Sequence, residues 1–147
     1  MPNPHFIITS DRGTTKAFEV KEPPNRDPMP RLVIEKQFKE AHERFRDKVT
    51  DKAGSFPVLG YAGQGNAIAE RQGIELEEDA KLFRAIGHEI EKILREHQPS
   101  TWAFAAPEEI NRLILDHISP DLRRTLSKNV KHDLIRIPAE SLLEHFE

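Results

Sequence analysis

Cysteine is missing from all 147 residues, which rules out disulfides, a thiol nucleophile and thiolate-bound zinc while leaving the redox compartment open. Long apolar runs are missing as well. The run Phe6-Ile7-Ile8 is far too short for a membrane span or signal core, and Met1-Pro2-Asn3-Pro4-His5 carries no basic leader, so a cytoplasmic location is expected. Neither sign of charge dominates. With 22 basic and 25 acidic residues the formal charge is −3 and the pI is near 6.2, which argues against coating nucleic acid by bulk attraction but leaves a local basic face open.

The motifs of several enzyme classes are absent too. The seven histidines, among them His88, His117 and His132, show no H-E-x-x-H or H-x-H spacing, so no metal site is expected. Gly60-x-x-Gly63-x-Gly65 is not the dinucleotide-binding G-x-G-x-x-G and follows no clear strand. No P-loop and no G-x-S-x-G elbow occur. Dinucleotide binding therefore lacks its mechanical context, and an ordinary hydrolase has no anchor.

What is present suits one domain over residues 1–147, with 37% hydrophobic and 32% charged residues. Phe6 to Thr9 and Lys16 to Val20 read as strands around the turn residues Asp11-Arg12-Gly13, a hairpin pattern. Pro23, Pro24, Pro28 and Pro30 then interrupt regular structure until a third strand at Leu32 to Phe38. From Lys39 to Arg71 the signal is weak. Apart from a narrow stripe at Ala41, Phe45 and Val49, the stretch 39–71 reads as a long irregular loop, and long loops in compact domains are usually functional.

Leu76, Ala80, Phe83, Ile90 and Leu94 predict a helix from about Glu75 to His97, with Glu75, Glu77, Glu78 and Asp79 placed to favour its N-terminal dipole. Trp102 to Ala105 reads as a strand whose Trp102 and Phe104 share a core face beneath that helix. Pro107-Glu108-Glu109 starts a helix carrying Ile110, Leu113, Ile114 and Ile118, and Ser119-Pro120-Asp121 starts another. Val130 to Ile137 reads as a returning strand, and Pro138 to Phe146 as a final helix. The expected fold is α/β, a mixed sheet of about five strands with helices packed on it.

The opening Ile7-Ile8-Thr9-Ser10-Asp11-Arg12-Gly13, the stretch Leu122 to Leu126, Lys131-His132-Asp133-Leu134, Ile137-Pro138 and Glu140 to Leu143 together resemble the bacterial host-attachment protein family over nearly the whole chain. That family is similar in turn to the middle domain of archaeal and eukaryotic peptide-chain release factors, whose exposed loop carries Gly-Gly-Gln. The matching triplet here is Ala62-Gly63-Gln64.

The resemblance implies a partner, the ribosome or tRNA, and, for an enzyme, ester hydrolysis of peptidyl-tRNA with no metal or organic cofactor. Gln64 would orient the water while Gly63 and Gly65 give the backbone freedom for close approach. Ala62, with its Cβ where the release-factor loop has glycine, weakens the match, and an ordinary flexible loop is the plainer reading.

Two basic sets invite an RNA reading. Lys36, Lys39, Arg44, Arg46, Lys48 and Lys52 are interleaved with Glu40, Glu43, Asp47 and Asp51 and read as a solvated face. Arg123, Arg124, Lys128, Lys131 and Arg136 face only Asp121 and Asp133 in their window and are the better RNA-binding candidates. Phe56 and Tyr61 suit base stacking or loop anchoring equally. His88, between apolar helix positions, reads as a hydrogen-bonded packing residue. The rival to a ribosome-directed role is a non-catalytic module that binds a protein partner and affects attachment indirectly. Neither reading involves a membrane, and the residues do not set an oligomeric state.

Overall fold

The computed structural model describes residues 3–38 and 64–147, with side chains for 3–38 and 78–147. Strands β1 (Phe6–Ser10), β2 (Thr14–Lys21) and β3 (Met29–Gln37) form an antiparallel meander, as the alternation and turn residues predict. The β1–β2 turn is closed by one side chain. Asp11 Oδ1 accepts the Gly13 and Thr14 amides at 2.8 and 2.7 Å, while the Asp11 amide donates to the Thr14 carbonyl at 3.0 Å. Pro30 lies inside β3 rather than before it. It is tolerated because β3 is an edge strand, where a missing amide breaks no ladder on the open side.

Helix α1 (Gln64–His97) leads into β4 (Trp102–Ala105), which lies parallel to β1. Helices α2 (Glu108–Leu115) and α3 (Pro120–Arg123) then lead to β5 (Leu126–Val130), parallel to β4. The sheet order is β3-β2-β1-β4-β5, a mixed five-stranded α/β sheet as expected. Every residue of β1 is buried, as befits a central strand covered on both faces.

One face carries Phe6, Ile8, Trp102 and Phe104 beneath α1, whose Leu82, Phe83, Ile86, Ile90, Ile93 and Leu94 form the apolar stripe. Trp102 and Phe104 are both fully buried, in line with their assignment to the core. The helix runs from the carboxyl ends of the strands to their amino ends: Phe83 meets Arg12, just past β1, and the His97 ring lies 5.1 Å from Phe6, where β1 begins. It stops at Gln98, whose positive φ of 46° turns the chain and whose amide bonds back to the Leu94 carbonyl at 2.8 Å.

The opposite face carries Ile7, Phe18, Val20, Ala103 and Ala105. The C-terminal segment covers it through Leu134, Leu142 and Phe146, the last two on α4 (Ala139–Leu142) and the following 3-10 turn (Leu143–Phe146).

Three further expectations are corrected. The helix begins at Gln64 rather than near Glu75, so residues 64–71 are not irregular, and Glu75, Glu77, Glu78 and Asp79 lie within the helix rather than in its first turn. The last strand is Leu126–Val130 rather than Val130 to Ile137. Leu134 and Ile135 are buried because they turn onto the second face, without joining the sheet. His88 is exposed rather than packed, because it projects away from the stripe of Ile86 and Ile90. The expected stripe at Ala41, Phe45 and Val49, and the stacking candidates Phe56 and Tyr61, lie outside the described residues.

Candidate functional site

The strand order creates a distinctive position at the carboxyl end of β1. From there the chain turns to β2 and β3 on one side, and later supplies β4 and β5 on the other. In open α/β sheets such a switch leaves a crevice outside the strand ends, because adjacent connections diverge. Here a crevice of about 470 Å³ occupies that place. Its walls come from the three segments that follow the parallel strands: Asp11 and Arg12 in the turn after β1, Pro107 after β4 with Glu109 and Ile110 at the start of α2, and Asp133 after β5.

These walls are held from behind. Asn111, buried on α2, exchanges two amide hydrogen bonds of 2.8 Å with Asn129 on β5, and its Nδ2 also reaches the Val130 carbonyl at 3.2 Å. The Ala106 amide donates to the same carbonyl at 3.2 Å, so the turns after β4 and β5 are tied together. Asp133 Oδ1 accepts the Ile135 amide at 3.1 Å, and Lys16 Nζ donates to the Ile135 carbonyl at 3.0 Å. Arg12 is directed to α1, with one guanidinium nitrogen 3.0 Å from Asp79 and its Cζ 5.3 Å from the Phe83 ring centre. In the sequence, Asp11, Arg12 and Gly13 read only as turn formers. The available signal was positional, since each wall residue follows the carboxyl end of an apolar strand.

The loop candidates are only partly described. Gln64 and Gly65 are the first residues of α1, while Gly63 lies outside the described residues. No acidic residue occurs in the first turn of α1, so the positive end of the helix dipole is not offset there.

The basic candidates lie along one border of the sheet. Arg123 ends α3 and Arg124 follows it, Lys128 sits midway along β5, Lys131 comes directly after that strand, and Arg136 lies in the turn toward α4. All five are exposed, and β5 is an edge strand. They form a line rather than a cluster, since a five-residue strand separates its ends by roughly 13 Å. Of the two nearby acids, Asp121 is engaged by Arg95 at 3.3 Å.

Among the described residues, no group of three His, Cys, Asp or Glu side chains converges as metal ligands would, and no helix is long and apolar enough to cross a membrane. No curated protein sequence matches the chain. A family model matches residues 6–146, and the chain belongs to that family, described as protein required for attachment to host cells.

Proposed function

We propose that this host-attachment family protein is a binding module that acts at the ribosome or on tRNA, and that it engages the phosphate backbone through the β5 border. The observation that carries the reading is the line of five exposed cations, Arg123, Arg124, Lys128, Lys131 and Arg136, along an open sheet edge. Cations of this kind contribute through counterion release, which explains how a chain of net charge −3 can still bind RNA locally. An effect on attachment would then arise indirectly, through expression of surface components.

A catalytic form of this reading assigns peptidyl-tRNA ester hydrolysis to Gly63, Gln64 and Gly65. It is favoured by the position of Gln64 at a helix start free of acidic residues, where backbone amides without intrahelical partners attract anions.

Co-sedimentation with ribosomes and filter binding of tRNA across a salt series test the proposal. Wild type is expected to bind with an affinity that falls with salt, and the Arg124→Glu, Lys128→Glu double variant to bind weakly with a salt slope shallower by about 1.5 to 2. Absence of association at low salt, or a slope unchanged by the double variant, would overturn it in favour of a module that recognises a protein.

A further inference from the structure

We propose that the crevice at the carboxyl ends of β1, β4 and β5 binds a small organic cation, an ammonium or guanidinium group carried on an extended body. Its volume of about 470 Å³ falls within the range of sites for small ligands, and its position at the strand-order switch is where α/β sheets hold them. The site is preformed. The Asn111–Asn129 pair and the Ala106–Val130 bond fix two of its three walls, and the Asp11 side chain fixes the third.

The lining selects the class of ligand. Among the described lining residues, Asp11, Glu109 and Asp133 are acidic and Arg12 is basic, its guanidinium engaged by Asp79 and Phe83. Asp11 and Asp133 each use Oδ1 for backbone amides, which orients the carboxylate while leaving Oδ2 as an acceptor. Such a wall repels phosphate groups and so differs in ligand class from the basic β5 border, although Asp133 follows Lys131 in the same turn. The carboxylates are also spread around the crevice rather than converging on one point, which suits donors spaced along an organic cation better than a bare metal ion. Pro107, half-buried, supplies apolar surface for the body of the ligand.

Ammonium and guanidinium groups come from two sources, free amines and the Lys or Arg side chains of a protein. Isothermal titration of the full chain should use agmatine and putrescine as free amines, a capped Gly-Arg-Gly peptide, and the same peptide with citrulline as the neutral control. Cationic probes should bind at least about fivefold more tightly than the citrulline peptide. Glu109→Gln should weaken them by a similar factor, whereas Glu140→Gln on α4, outside the crevice, should not. Glu109 is exposed, so the variant should fold as wild type by circular dichroism.

Tighter binding of the free amines assigns the site to a metabolite, and tighter binding of the arginine peptide assigns it to a partner's side chain. No binding at millimolar concentration, equal binding of citrulline, or an unchanged Glu109→Gln would each overturn the proposal. None of these readouts involves RNA, so they are independent of the proposed function.

Discussion

Asn111 and Asn129 hold each other in a closed pair, each Nδ2 donating to the other's Oδ1 at 2.8 Å. The orientation of Asn111 is fixed by its surroundings, because only its Nδ2 can donate to the Val130 carbonyl beside it. Asn111→Ala should cost about 2 kcal/mol in urea unfolding with an unchanged m-value, through lost bonds and a small cavity. Asn111→Asp should cost more, since a second oxygen would then face the Val130 carbonyl. Asn129→Ala should cost about 1 kcal/mol, because Asn129 is exposed and water replaces part of its bonding.

Gly87 on α1 marks a close approach of two helical segments. A Cβ there would lie 2.7 Å from the His117 Cβ and 3.2 Å from the Ile114 carbonyl oxygen. Alanine ordinarily gains about 1 kcal/mol over glycine within a helix. Here overpacking should outweigh that gain, because the His117 Cβ is tied to the backbone and cannot swing aside. Gly87→Ala is expected to destabilise by about 1 to 2 kcal/mol and to lower the melting temperature. A rise in melting temperature would show that the segment after α2 yields easily.

The parts of the fold legible in the sequence are those where one residue pattern meets one environment. The β1–β2 hairpin shows its turn chemistry in Asp11-Arg12-Gly13, and Trp102 to Ala105 is a short apolar run because both of its faces are covered. β5 is not legible for the opposite reason. It borders solvent, reads Leu-Ser-Lys-Asn-Val, and the register shift opposite Trp102 and Ala103 breaks the alternation, while apolar Leu134 and Ile135 imitate a strand although they turn onto the second face.

The start of α1 is hidden by Gly65, which belongs to the glycine-punctuated stretch that reads as loop, although the helix runs through it. The crevice needed topology, because Asp11, Glu109 and Asp133 are brought together only by the order of the parallel strands.

Glu91 gives the fold a defined acid dependence. Its Oε1 accepts the Ser119 hydroxyl at 2.6 Å and the Ser119 amide at 2.8 Å, which holds its carboxyl below the usual 4.5. A carboxyl depressed on folding contributes fully above 4.5 and loses its contribution as pH falls through the lower folded value. The side chain keeps 25% of its surface in water, so about 1 kcal/mol is expected. Glu91→Gln should therefore melt below wild type near neutrality, and the gap should close as the medium is acidified past 4.5. A gap independent of pH would assign the loss to geometry rather than charge.

Gln64 allows the scaffold to be separated from the chemistry. As the first residue of α1 it sits where alanine is at least as good a helix former, so Gln64→Ala should change stability by no more than about 0.5 kcal/mol. If its amide orients water against the ester of peptidyl-tRNA, the same variant should lower single-turnover hydrolysis by about a hundredfold or more, the scale of losing one oriented polar group. Binding of tRNA should be unchanged, because the cations of the β5 border remain. The diagnostic combination is therefore wild-type melting, wild-type tRNA affinity and lost turnover. Equal turnover in the two proteins would remove Gln64 from any catalytic role and leave the β5 border as a surface for binding alone.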